Sequence, residues 1–117
     1  MLRFDPGLSV FIHREPVDFR LGLNGLLGII EHQMRRDPYA RALFVFGNRA
    51  RSRIRLVLWD RCGFWLMMKR LEEEKFSWPS GEQSVIELDV EQLQWLLRGF
   101  DLRAMKGHRA LTYQHAA

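Results

Sequence analysis

The sequence predicts an α+β fold, in which an antiparallel β-meander of three to five strands packs against one long N-terminal helix and a short C-terminal helix. Three observations indicate this architecture. Apolar and polar residues alternate through residues 53–60, an apolar stripe at helical spacing runs through residues 19–34, and a capping-box pattern precedes residues 90–98. The length of 117 residues suits one compact domain, which we place at residues 1–102.

The N-terminal part predicts a strand followed by the long helix. Residues 8–12 (LSVFI) form a short apolar run, and Asp18 follows Pro16 as a candidate N-cap. In residues 19–34 the apolar side chains recur at i, i+4, i+7, i+8, i+11 and i+15, on one helical face. Three glycines interrupt this segment, and each costs a helix about 1 kcal/mol relative to alanine. The helix is therefore expected either to pack closely against a neighbour or to be irregular.

The middle of the chain predicts the meander. Residues 42–48 (ALFVFGN) and 53–60 (RIRLVLWD) are expected strands, joined by a turn or a widened hairpin tip at NRARS. A tight connection at residues 60–63 leads to residues 64–71, which form a further strand or a short helix. Residues 75–80 are a candidate fourth short strand that Pro79 ends. Because the connections between these segments are short, the strands are expected to pair antiparallel.

The C-terminal part predicts a last strand and a capped helix. Residues 84–88 (SVIEL) have strand character, and Asp89 is an expected N-cap with Gln92 at the third helical position. The helix over residues 90–98 should end at Gly99, a residue suited to the left-handed conformation found after helices. Residues 103–117 have no clear periodicity, and we expect this tail to be frayed or disordered.

Positive charge is concentrated in one part of the chain. The protein has 18 basic and 14 acidic residues, and 15 of the basic residues are arginines. Residues 35–70 hold ten basic and two acidic residues, a net charge of +8, so the remainder of the chain carries −4. Concentrated positive charge attracts polyanions, and arginine binds phosphate in a bidentate manner. Composition alone leaves open the alternative that a GC-rich genome simply favours arginine codons, in which case the charge implies no polyanionic partner.

The segment FGNRARSRIRLVLWD carries an arginine at every second position, 49, 51, 53 and 55. In a strand from residue 53, Arg53 and Arg55 share one face with Trp59, while Ile54, Leu56 and Leu58 enter the core. Such a row matches the spacing of phosphates along a nucleic-acid strand. It is also typical of a sheet face that is merely solvated, and an acidic protein surface would accept the same guanidinium groups.

The sequence shows no pattern typical of an enzyme. The four histidines are far apart, so neither a zinc site nor any other metal site is expected, and no cofactor motif is present. Asp60 with Glu72 is a weak candidate for a nuclease carboxylate pair, which would need a divalent metal. The single cysteine, Cys62, and the N-terminus, which is unlike a signal peptide, favour a cytoplasmic protein.

Three longer segments resemble a known family. The segments VDFRLGLNGL, LFVFGNRARSRIRLVLWD and GFWLMMKRLEEEKFSWP are similar, in this order, to the TnpB accessory protein of the insertion-sequence-sixty-six family. The resemblance covers roughly residues 8–100. Matching positions include Asp18, Arg20, Gly22, Asn48, Arg49, Arg51, Arg53, Trp59, Asp60, Gly63, Lys69, Arg70, Glu72, Trp78 and Pro79. The family usually has glycine where this chain has Glu74, which weakens the turn expected there.

The resemblance implies a role in transposition beside a transposase, and it supplies no catalytic residues. We therefore expect a non-enzymatic accessory protein with DNA, the transposase or another element-encoded helper as partners. The residues expected to contact DNA are Arg49, Arg51, Arg53, Arg55, Lys69 and Arg70. The alternative is an adaptor whose same basic face binds the transposase or another helper, with Trp59 as an anchor.

Overall fold

A computed structural model describes residues 3–99, which form a five-stranded mixed sheet with helical segments on both faces. The strands are β1 (Ser9–His13), β2 (Ala42–Gly47), β3 (Arg53–Asp60), β4 (Gly63–Arg70) and β5 (Val85–Leu88). Their order across the sheet is β4-β3-β2-β1-β5. The α+β expectation is confirmed at this level, and the expected tail at residues 103–117 lies outside the described residues.

The expectation of a purely antiparallel sheet is wrong for one pair of strands. The meander β2-β3-β4 is antiparallel, as predicted, and so is the pairing of β1 with β5. Strand β1, however, lies beside β2 in parallel, with Val10 opposite Leu43. A parallel neighbour needs a long crossover, and the helical segment between β1 and β2 provides it. Strand patterns in the sequence carry no information about which neighbour a strand selects, so the alternation could not reveal this pair.

The first helix is shorter and less regular than predicted, and it does not begin the chain. Helix α1 (Leu23–Gly28) starts after Gly22, and a π-helical turn (Ile29–Gln33) continues it, closed by a bond from the Met34 amide to the Ile29 carbonyl (2.9 Å). Asp18 is not its N-cap. The Asp18 carboxylate instead accepts from the Arg20 amide (2.9 Å), so residues 18–21 form a turn. Glycine-rich sequence at the start weakens the helix enough for this local turn to replace its first part.

Both faces of the sheet are covered, and the alternation of β3 divides its residues between two cores. Ile54 and Leu56 face the core that also contains Val10, Ile12 and the apolar side of the second helix, α2 (Val90–Leu97). Val57 faces the other core, under α1. We call these the α2 face and the α1 face of the sheet. The prediction that Ile54, Leu56 and Leu58 pack together on one face is confirmed.

The C-terminal elements agree with the sequence pattern. The Asp89 carboxylate accepts from the Gln92 amide (2.7 Å), and the Gln92 side chain accepts from the Asp89 amide (3.1 Å), a complete capping box. Residues 75–80 are not a strand, although Phe76 and Trp78 are buried against the α2 face. In the part of the chain that the structure describes, no helix is long and apolar enough to cross a membrane.

Candidate nucleic-acid interface

The connection between β2 and β3, residues 48–52, is a compact turn, and we call this turn together with Arg53, the first residue of β3, the hairpin tip. The Asn48 side-chain oxygen accepts from the amides of Ser52 and Arg53, both at 3.0 Å, and its amide nitrogen donates to the Ser52 hydroxyl (3.1 Å). Arg51 adopts a left-handed backbone conformation, with φ of 59°. In this turn the amides of Ser52 and Arg53 thus bond to the Asn48 side chain rather than to a carbonyl of the neighbouring strand.

The hairpin tip is also bonded to the segment that follows β4. The Leu71 amide donates to the Ser52 carbonyl (2.9 Å), and the Phe76 amide donates to the Arg51 carbonyl (2.8 Å). Phe76 is itself buried in the α2-face core. The backbone of the tip is therefore held on both sides, which limits the freedom of the side chains that it carries.

Three of the predicted arginines lie at the hairpin tip and point into solvent. Arg49 and Arg51 are exposed in the turn itself, and Arg53 is exposed at the first position of β3. No carboxylate among residues 3–99 forms an ion pair with any of them. Arg49 and Arg51 also line a polar cavity of about 270 Å³ together with Arg14 and Glu15. The tip therefore concentrates uncompensated positive charge on a rigid turn.

Arg55 has a different environment, although it continues the same row. Its guanidinium donates to the backbone carbonyls of Phe19 (2.7 Å) and Leu21, and it stacks on the Phe19 ring with 4.7 Å to the centroid. These contacts connect β3 to the turn at residues 18–21. In this structure the Arg55 side chain holds the segment that leads into α1.

The two basic residues at the end of β4 are divided between the faces of the sheet. Arg70 lies opposite Arg53 in the register, on the α1 face, and its guanidinium donates to the Glu72 carboxylate (2.8 Å). Lys69 lies opposite Ile54, on the α2 face, and donates to the Leu97 carbonyl at the end of α2 (2.7 Å). Only Arg70 therefore lies beside the hairpin tip on the face that Arg53 occupies.

Trp59 lies on the same face as Arg53, as the alternation predicts, but at the other end of β3. Its ring packs against Phe64 and Tyr39, with 4.9 Å between centroids in each case. Trp59 is six positions along the strand from Arg53, roughly 20 Å at about 3.3 Å per residue. The aromatic cluster and the hairpin tip are therefore separate surfaces.

The weak nuclease hypothesis finds no support in the geometry. The Asp60 carboxylate accepts from the Trp65 indole nitrogen (3.1 Å), and Glu72 pairs with Arg70. The two carboxylates lie beyond opposite ends of the eight-residue strand β4. Within residues 3–99, no group of three or more histidine, cysteine, aspartate or glutamate side chains is placed to hold a metal ion.

Two residues that shape this region, Gly47 and Trp78, were not predicted from the sequence to pack against each other. Gly47 lies against Trp78, since a Cβ atom at position 47 would stand 3.0 Å from the Trp78 ring. The Trp78 indole donates to the Arg14 carbonyl (2.8 Å), which places residues 14–16 beside the tip. A glycine at the end of a strand is the one sequence signal for such a close approach, and Gly47 carries it.

Comparison with known proteins gives the family. The model of the IS66 Orf2-like proteins (TnpB_IS66) matches residues 8–107. Among curated proteins, the uncharacterized protein y4jC of Sinorhizobium fredii is 34% identical over 100 residues, which cover 86% of each chain. The uncharacterized protein y4hO of the same organism is 33% identical over 103 residues, 88% of this chain and 90% of the relative. No solved structure matches. Members of the matching family are transposition accessory proteins that are generally not catalytic, and this chain, matched over most of its length, belongs to the IS66 Orf2-like family.

Proposed function

We propose that this accessory protein contacts DNA through the arginines of the hairpin tip. The observation that carries the proposal is the exposure of Arg49, Arg51 and Arg53 on a turn whose backbone is fixed by Asn48 and by residues 71–76. Rigid positioning matters because each flexible side chain or loop that must be ordered on binding reduces affinity.

The expected mode of contact is recognition of the phosphate backbone. Arginine donates to phosphate oxygens through a planar fork, and each neutralised phosphate releases condensed counterions. Arg70 flanks the tip and is paired with Glu72. It would add a further DNA contact if its guanidinium released the Glu72 carboxylate and bound a phosphate instead. Arg55 and Lys69 are left out of the proposed contact set because each side chain is already directed to backbone carbonyls of the protein. Backbone contacts position a protein on DNA and do not read its sequence.

The test is a fluorescence-anisotropy titration of the full chain on labelled element-end and random duplexes at several salt concentrations. With three phosphate contacts, log K should fall with log salt with a slope of about −2.7. Replacement of Arg49, Arg51 and Arg53 by glutamine should abolish most of this slope on both duplexes. Because these side chains are exposed and unpaired among the described residues, the variant should stay folded.

Arg61→Gln is the matched control, since Arg61 is exposed at the opposite end of the β3–β4 hairpin. It removes one positive charge, as Arg51→Gln does at the tip, and should leave the slope near the wild-type value. Equal losses in Arg51→Gln and in the Arg61→Gln control would mean that net charge, rather than the tip, determines binding. A salt slope near zero in the wild-type protein would contradict the proposal outright.

An acidic surface of the transposase is the second candidate ligand for the same arginines. The observation that favours it is the mixed character of the cavity beside the tip, where Glu15 lies among Arg14, Arg49 and Arg51. A protein surface can present a hydrogen-bond donor to Glu15 and carboxylates to the arginines, whereas a phosphate chain offers acceptors alone. Co-purification with the transposase after nuclease treatment, lost in the glutamine variant, would support this function. Loss of DNA binding in the same variant would support the first.

A further inference from the structure

The two edges of the sheet differ in length and in the character of their side chains. Strand β5 forms one edge with only four residues, and α2 begins two residues later. Strand β4 forms the other edge with eight residues, and no further strand of residues 3–99 pairs with its outer side. An edge strand presents unpaired amide and carbonyl groups that can bond to a strand of another chain.

The side chains of β4 are unusually apolar for an edge strand. Trp65 is 57% exposed, Leu66 41% and Met68 57%. Leu66 and Met68 lie on the α1 face together with Phe64, whereas Trp65 and Met67 lie on the α2 face. An eight-residue strand with exposed apolar groups on both faces and no proline lacks most of the features that prevent a free edge strand from pairing with a strand of another molecule.

The two charged residues of β4 do little to protect the edge. Lys69 and Arg70 occupy only its last two positions. The Lys69 amino group is bonded to the Leu97 carbonyl, and the Arg70 guanidinium is bonded to Glu72. Residues 63–68 therefore carry no charge along the outer side of the sheet.

We propose that β4 pairs antiparallel with β4 of a second copy of this chain, about a twofold axis at Leu66. In this register Phe64 lies opposite the second copy's Met68, and Trp65 lies opposite its Met67, so that apolar groups meet on both faces. The pairing joins two five-stranded sheets into one and continues the antiparallel order of β2-β3-β4. A twofold contact of this kind is self-complementary, the commonest form of homodimer.

The distribution of charge along β4 favours a second copy in this orientation. The antiparallel register places Lys69 and Arg70 of one copy opposite the uncharged Gly63 and Cys62 of the other, so the basic ends of the two strands do not face each other. It also places the two hairpin tips at opposite corners of the joint sheet. Arg53 of one copy would lie roughly 30 Å from Arg53 of the other, from the spacing of residues and strands. Two basic tips at that separation are screened from each other at physiological salt.

Sedimentation equilibrium of the full chain without DNA, from nanomolar to high-micromolar concentration, tests the proposal. The wild-type protein should form a dimer. Leu66→Lys should raise the dissociation constant by at least about tenfold, since two lysines would then face each other at the axis. Met68→Lys should weaken the dimer less, because the second copy's Phe64 faces that position. Gln83→Lys, which adds the same charge at an exposed site away from the edge, should leave the constant unchanged.

Cross-linking tests the register independently. In a Cys62→Ser background, Leu66→Cys should be joined rapidly into dimers by a short bismaleimide, whereas Asn24→Cys on α1 should not. Thermal unfolding by circular dichroism checks that each variant is folded, and Met68→Lys decides the outcome if Leu66→Lys does not fold.

A monomer at every concentration, or a dimer that neither lysine variant weakens, would overturn the proposal. Capture of the edge by the transposase while the chain alone stays monomeric would overturn it as well. None of these measurements contains DNA, so they are separate from the test of DNA binding.

Discussion

Arg53 and Arg55 are two residues apart on the same strand and the same face of the sheet, yet their surroundings differ. Arg53 is exposed at the hairpin tip, whereas the Arg55 guanidinium is bonded to two carbonyls and stacked on Phe19. The difference arises because the turn at residues 18–21 passes over the middle of β3 and leaves its start uncovered. Identical residue types in one alternating row therefore divide into a group that holds the fold and a group that remains available for a ligand.

Replacement of Arg55 gives the largest effect expected from this comparison. Arg55→Met leaves the carbonyls of Phe19 and Leu21 without their donor and removes the stacking on Phe19, so we expect a loss of about 2–3 kcal/mol in the free energy of unfolding. Arg53→Met is the matched variant and should change this free energy by less than about 0.5 kcal/mol. Urea denaturation of both proteins measures the difference.

The same pair of variants should behave in the opposite way toward DNA. Under conditions where both are folded, Arg53→Met should reduce the magnitude of the salt slope by about 0.9, and Arg55→Met should leave it unchanged. Equal stabilities, or equal salt slopes, would remove the distinction that the structure draws between the two residues.

A smaller effect is expected at Asn48, which organises the tip and is not among the residues proposed to contact DNA. Asn48→Ala removes the acceptor of two backbone amides and should destabilise the protein by about 1–2 kcal/mol. The tip arginines would remain but on a looser turn, so DNA affinity should fall while the salt slope stays near its wild-type value. Asn48→Asp keeps the acceptor oxygen and should retain most of the stability, as denaturation can show. A stable Asn48→Ala protein with normal affinity would mean that the turn is held mainly by residues 71–76.

The smallest effect concerns pH and the turn beneath Arg55. The Arg20 side chain and amide donate to Asp18 and lower the pKa of that carboxyl from 3.8 to about 2. A carboxyl whose folded-state pKa lies below the unfolded value stabilises the protein above the unfolded pKa. This contribution should be complete above about pH 4 and should be lost as the pH falls toward 2.

Carbon-detected NMR titration of the Asp18 carboxyl measures its pKa, and Arg20→Gln should return it toward 3.8. Because the group is exposed, the change in overall stability should be slight. A wild-type pKa near the ordinary value would show that the turn is not held by this pair in solution.

Local patterns were sufficient to predict much of this molecule. The alternation of β3 correctly placed Ile54, Leu56 and Leu58 on one face, and the spacing of Asp89 and Gln92 correctly predicted the capping box. Helix α1 was predicted too long, because the apolar stripe extends through residues that fold as a turn and as a π-helical segment. The apolar stripe indicates which side chains face the core. It does not indicate whether the backbone between them forms an α-helix, a turn or a π-helical segment.

The sequence by itself determined the fold class, the family and the concentration of arginine within residues 35–70, because each depends on which residues are present and on their order. Only the tertiary structure decided the parallel β1–β2 pair, the open edge of β4 and the division of the arginine row. The physical reason is the same in each case. Which strand becomes a neighbour, which edge stays uncovered and which guanidinium meets a carbonyl all depend on segments distant along the chain, and the spacing of residues within one segment cannot encode those contacts.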